Sequence, residues 1–162
     1  MMRSLRRTGT KADVVVLVSP NVKAETRQVL RQDGAIVTEV PNLANPYKAA
    51  QAQGEPQRYL ARFEFTLNKL YMWNLTQYER VVYLDADNIA LGNLDELFDC
   101  GHFCAVFMNP CNFHTGLLVI KPDTKQFNHM VESLPFIGSY DGADQGFLTA
   151  FFPFKVRVRG PR

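Results

Sequence analysis

The chain has 162 residues, 46% of them hydrophobic, three cysteines and a formal net charge of +2. That length makes one domain or a large piece of one, with enough apolar content for a packed core. Eight of the 18 basic residues stand in the two tails (Arg3, Arg6, Arg7, Lys11, Lys155, Arg157, Arg159 and Arg162), whereas all 16 acids lie between Asp13 and Asp144. The body is therefore acidic, which argues against a nucleic-acid partner, since that needs clustered Lys and Arg on one face. No apolar run is long enough to span a bilayer, and no apolar segment follows the basic start Met1-Met2-Arg3 as it would in a signal peptide.

Asp13–Ser19 is a continuous apolar run and predicts a strand buried on both faces. Val22–Asp33 has helical spacing, with Gly34 as its C-terminal stop, and Ala35–Val40 predicts a second strand. Strand, helix and strand in that order imply a parallel crossover. Residues 41–57 are polar, hold three prolines and a glycine, and read as a loop. Residues 58–75 read as a helix with Tyr59, Phe63, Leu67, Leu70 and Tyr71 on one stripe.

Arg80–Leu84 is β-branched and aromatic and predicts a strand ending in Asp85-Ala86-Asp87. Alternation along a strand would point both carboxylates the same way. The carboxyl edge of a sheet is where α/β proteins bind ligands. Two hard oxygen donors there suit Mg²⁺ or Mn²⁺, ions that leave coordination positions open for phosphate. Six acids between Glu79 and Asp99, against Arg80 alone, favour a cation. The plain alternative is a pair of aspartates capping a turn before Leu91-Gly92-Asn93.

Beyond it, 93–98 reads as a short helix, 103–108 and 113–120 as strands, the second interrupted at Thr115-Gly116, and 123–134 as a helix. Residues 139–152 form a Gly-rich turn feeding a short helix. Alternating strands and helices give an α/β sandwich. Cys100, Cys104 and Cys111 lie close together. With His102 they could be read as a zinc site, although no C-x-x-C knuckle is present. Packed thiols, or one disulfide and a free thiol in an oxidising lumen, are the simpler readings.

Taken together, Leu67–Tyr78 ahead of Val-Val-Tyr-Leu-Asp-Ala-Asp, Asn93–Phe98 after it, Phe113–Pro122 and Asp141–Phe147 resemble glycosyltransferase family eight, the glycogenin group. Asn109-Pro110-Cys111 and Phe113-His114-Thr115-Gly116 are most similar to its plant branch, which includes glucuronosyltransferases acting on inositol phosphorylceramide or xylan. The resemblance implies a GT-A (Rossmann-like) fold with a mostly parallel sheet between helices. It also implies a UDP-sugar donor, Mn²⁺ (or Mg²⁺) and retention at the anomeric carbon. It assigns Asp85, Ala86 and Asp87 to the nucleotide, with Asp85 and Asp87 on the metal. Asp141, Asp144, Gln145, His114, Thr115 and Gly116 fall to the donor sugar, and Lys69, Asp144 and Gln145 to catalysis. The acceptor would be a glycan or glycolipid. The compartment would be the Golgi for the plant branch, or the cytoplasm if the chain is glycogenin-like.

Without the resemblance, Lys69 reads as a solvated helix lysine and the 141–145 turn as a helix cap. His114 replaces the asparagine of glycogenin, which bears on the acceptor and not on donor chemistry. The family opens with a uracil-holding strand before the equivalent of Ser4–Thr8 and draws a third metal ligand, a histidine, from beyond the equivalent of Phe154. The expectation is therefore of a single, incomplete GT-A domain over 1–162. Two rivals remain: a non-catalytic fragment or degenerate paralogue, and a haloacid-dehalogenase-type phosphatase using Asp85, Asp87, Thr115, Lys121, Asp141 and Asp144.

Overall fold

The structure is a computed structural model that describes residues 1–48, 63–109 and 112–152. The element order is α1 (Met2–Arg7), β1 (Val15–Val18), α2 (Ala24–Gln32), β2 (Ile36–Glu39), a 3-10 helix (Thr66–Asn74), β3 (Val81–Leu84), a second 3-10 helix (Asp95–Asp99), β4 (Phe103–Asn109), β5 (Asn112–Ile120), α3 (Thr124–Ser133) and α4 (Asp144–Phe151). Most of the sequence-predicted elements are present. Helix α1 was not expected. It is held by Arg3 against Asp33 at 3.2 Å and by Arg6 Nη2, which donates to the Gly34 carbonyl at 2.6 Å. Gly34 has φ +82°, the left-handed conformation in which glycine ends a helix without a Cβ penalty.

The strands form two sheets. β1 and β2 run parallel with Val15 opposite Ile36, as the strand–helix–strand order requires. The second sheet has the order β3-β5-β4, and both of its pairings are antiparallel. The parallel pairing is thus confined to β1 and β2 among the described residues. Strand β1 is less buried than its apolar run implies. Only Val18 is buried, and the whole strand lies along a cavity.

Between Ala105 and Val106 the β4–β5 register jumps from Leu118 to His114. Residues 115–117 are the surplus, so the interruption foreseen at Thr115-Gly116 is a bulge of the kind that re-aims side chains. The first 3-10 helix replaces the later part of the α-helix read over 58–75; Tyr59 and the start of that stretch lie outside the described residues. Its buried positions include Leu67, Leu70 and Trp73, the three-residue spacing of a 3-10 helix. These side chains join Leu118, Ile120, Met130, Phe147 and Leu148 in one core. Cys100 and Cys104 form a disulfide, so the zinc reading does not hold; Cys111 lies outside the described residues.

Candidate active site

A cavity of about 1220 Å³ separates the two sheets. Its wall carries Val14–Ser19 on one side and Arg80–Asp87 on the other, with Lys69, His114, Thr115, Asp141, Asp144 and Gln145 around it. All the sequence-predicted site residues except Gly116 therefore meet at one cavity, although they come from four separate parts of the chain.

Strand β3 stops at Leu84, and Ala86 and Asp87 form a turn. Strand alternation therefore does not set the directions of Asp85 and Asp87, contrary to the sequence expectation. The turn is pinned instead. The Asp85 amide donates to the Gly116 carbonyl at 2.9 Å, and Asn88 Nδ2 donates to the same oxygen at 2.7 Å. Asp87 is exposed. Asp85 is partly buried. Its Oδ1 accepts from the Tyr83 hydroxyl at 2.8 Å and lies 3.2 Å from Lys69 Nζ. Burial, reinforced by the Asp85 charge, pushes the Tyr83 phenol well above its usual range, so Tyr83 is a donor at any ordinary pH. Its ring also lies under Lys69, with Nζ 5.0 Å from the centroid.

Lys69 is no solvated lysine. Its side chain is 6% exposed, and Nζ lies 2.6 Å from Asp144 Oδ2. It also donates to the Thr115 carbonyl at 3.1 Å and to Thr115 Oγ1 at 3.2 Å. The Thr115 hydroxyl in turn donates to Asp144 Oδ2 at 2.6 Å. A buried ammonium is tolerable only with such partners. Asp144 is the first residue of α4, where the helix dipole favours a carboxylate.

The 139–146 turn combines cap and site. Asp141 Oδ1 accepts from Ser139 Oγ at 2.7 Å and from the amides of Ala143 and Gly146, both at 3.0 Å. That oxygen is committed to the fold, as the cap reading has it, and the same residue lines the cavity. Gly146 is required here, since a Cβ would stand 2.6 Å from Asp141 Oδ1 and from the Tyr140 amide nitrogen. Gln145 bridges two segments: Oε1 accepts from the Thr115 amide at 3.3 Å, and Nε2 donates to the Tyr140 hydroxyl at 2.6 Å. His114 lines the cavity, and its Nδ1 accepts from the Gly116 amide at 2.9 Å, so in the neutral ring the proton sits on Nε2. A Cβ at Gly116 would press on His114 and stand 3.0 Å from Asp85 Oδ2, so glycine there keeps that oxygen clear.

The donor set fits a hard divalent cation. Asp85 Oδ2 makes no hydrogen bond among the described residues, and Asp87 is held by no ion pair among them. No group of three or more His, Cys, Asp or Glu is placed to hold a metal ion among the described residues, so a cation here would lean on substrate oxygens. The phosphatase constellation is not assembled. Lys121 follows Ile120, which pairs with Val81, whereas Asp85 lies at the opposite end of β3 beyond the Leu84–Leu117 pair. Sequence reasoning gave no role to Tyr83 or Asn88. Their positions two residues before and one after the carboxylates were the available signal.

No protein-family model matches the chain. Over 155 residues, 94% of this chain, it is 48% identical to a protein of Arabidopsis thaliana named as a candidate glucuronosyltransferase, PGSIP8, and spans 30% of that protein's length. It is 37% identical over 93% of its length to inositol phosphorylceramide glucuronosyltransferase 1 of the same plant, of which it spans 26%. It is 38% identical over 93% of its length to human glycogenin-2, of which it spans 30%. Its mixed parallel and antiparallel sheets are compatible with part of a Rossmann-like GT-A fold, and these relatives, of which it spans less than a third, are glycosyltransferases. These similarities are to proteins of the glycogenin-like kind, glycosyltransferase family eight, which the chain resembles. No helix among the described residues is long and apolar enough to cross a membrane.

Proposed function

We propose that this site serves transfer of a hexosyl or glucuronosyl group from a UDP-sugar to a glycan or glycolipid acceptor, with retention at the anomeric carbon. The observation that supports it best is Lys69, buried between Asp85 and Asp144 and so joining the carboxylates at the end of β3 to those at the start of α4. In glycosyl transfer from a nucleoside diphosphate, negative charge grows on the departing diphosphate. Asp85 and Asp87 would hold Mn²⁺, or Mg²⁺ as the alternative, and that ion supplies the charge which offsets it. Asp144 and Gln145 stand on the cavity wall, where they would meet donor hydroxyls, and His114 Nε2 would offer a further contact. Thr115 orients Asp144 and Lys69 together, which holds both groups in position before substrate arrives.

The Cys100–Cys104 disulfide favours an oxidising lumen such as the Golgi over the cytoplasm. Calorimetry tests the metal and donor together. Mn²⁺ and UDP are expected to bind the chain, and the double substitution Asp85→Asn/Asp87→Asn is expected to remove the Mn²⁺ enthalpy, because amides keep the shape but lose the charge. Equal Mn²⁺ affinity in both proteins would sink the assignment. If UDP fails to bind while Mn²⁺ binds, the nucleotide reading alone is lost.

A further inference from the structure

The geometry assigns Tyr83 as a positioning residue that divides the two oxygens of Asp85, reserving Oδ1 for the protein and presenting Oδ2 alone to a divalent cation. This inference rests on the reading of Asp85 as a metal ligand. Asp85 Oδ1 takes the Tyr83 hydroxyl at 2.8 Å and faces Lys69 Nζ at 3.2 Å, so both directions of approach to that atom are filled from inside the fold. On the other side, the missing side chain of Gly116 leaves Oδ2 clear, since a Cβ would stand 3.0 Å from it. The carboxylate is thus gripped at one oxygen and open at the other.

Tyr83 is suited to this task by its place in the strand. It sits two residues before Asp85, at the position paired with Leu118 of β5, and its hydroxyl reaches forward to the carboxylate. The same ring lies under the Lys69 ammonium at 5.0 Å. Phenylalanine at this position would keep the apolar contacts and the face offered to Lys69, and would lose only the hydrogen bond. A carboxylate with one oxygen engaged binds a cation through the other, which suits small ions such as Mn²⁺ and Mg²⁺. Ca²⁺ commonly takes both oxygens of a carboxylate. Freeing Oδ1 should therefore weaken Mn²⁺ and shift preference towards Ca²⁺. Outer partners of metal ligands typically change affinity by about 10-fold to 100-fold.

The test is Tyr83→Phe in the whole chain, with Mn²⁺ and Ca²⁺ affinities measured by calorimetry and the Mn²⁺ signal followed by electron paramagnetic resonance. Asp85→Asn runs in parallel, and the fold of each variant is checked by the fluorescence of Trp73. The expected result is Mn²⁺ binding weakened about 10-fold in Tyr83→Phe, with a smaller loss or a gain for Ca²⁺, and no Mn²⁺ binding in Asp85→Asn. A merely structural tyrosine would move both ions alike, and that outcome overturns the inference. Unchanged affinities in Tyr83→Phe with loss in Asp85→Asn overturn it as well, while leaving the metal reading intact. Undiminished Mn²⁺ binding in Asp85→Asn removes the metal reading and this inference together. Should Tyr83→Phe prove unfolded, Gly116→Ala reads the other half of the arrangement. Its Cβ crowds Oδ2, so Mn²⁺ should weaken; unchanged affinity there counts against the inference.

Discussion

Removing the Lys69 ammonium should destabilise the fold far more than loss of an ordinary lysine. In Lys69→Met the aliphatic stem is matched and the charge is lost. The Asp144 carboxylate, 7% exposed and 2.6 Å from Nζ, then loses its counter-ion, and Asp85 loses a second contact at 3.2 Å. At an effective dielectric of about 20 the gross attraction at this separation is of order 6 kcal/mol, from which desolvation must be subtracted. Breaking a buried pair by deleting one partner typically costs about 3–5 kcal/mol. Against a total stability of about 5–15 kcal/mol, that is a large share. Urea unfolding followed by Trp73, the single tryptophan, gives the measurement. A double-mutant cycle with Asp144→Asn isolates the pair, and the double variant should recover part of the loss because no unpaired charge remains in the core. A loss below about 1 kcal/mol in Lys69→Met, the level of an exposed pair, would refute the reasoning.

Gly146→Ala should cost about 1–3 kcal/mol by overpacking and lower the thermal midpoint, since its Cβ would meet Asp141 Oδ1 and the Tyr140 amide nitrogen at 2.6 Å; an unchanged midpoint would mean that the 139–146 turn yields freely. Tyr47 is 3% exposed, donates to the Ile137 carbonyl at 2.9 Å, and is held well above its usual range by burial and then by Asp141. Above about pH 10 the unfolded chain releases this phenolic proton while the folded chain keeps it, so Tyr47 lowers stability by about 1.4 kcal/mol per pH unit there and has no such effect below. Urea midpoints on either side of that pH should fall less steeply in Tyr47→Phe, and identical slopes would contradict the burial argument.

The local elements were legible because their signals are local. An apolar run, a helical stripe and Gly34 foretold β1, α2 and β2 in parallel, and Asp123 caps α3 by accepting from the Lys125 amide at 2.8 Å. The site residues could be named because their motifs carry a family resemblance, and the chain is similar over more than nine-tenths of its length to glycogenin-2 and the plant proteins. The sequence reading was weakest where a residue's state depends on distant segments. Lys69 looks like a solvated lysine until β5 and α4 bring Thr115 and Asp144 to it. Alternation failed for Asp85 and Asp87 because the strand ends one residue too soon, and Asn88 reaching across to the Gly116 carbonyl holds the turn instead. The 3-10 spacing of 66–74 and the commitment of Asp141 Oδ1 to a cap were equally out of reach. Composition and pattern thus determine which residues can bind, ionise or pack. Which carboxylate oxygen is spent on the fold and which is left for a ligand depends on contacts between residues far apart in the chain, such as Lys69 with Asp144, and those exist only once the tertiary structure has formed.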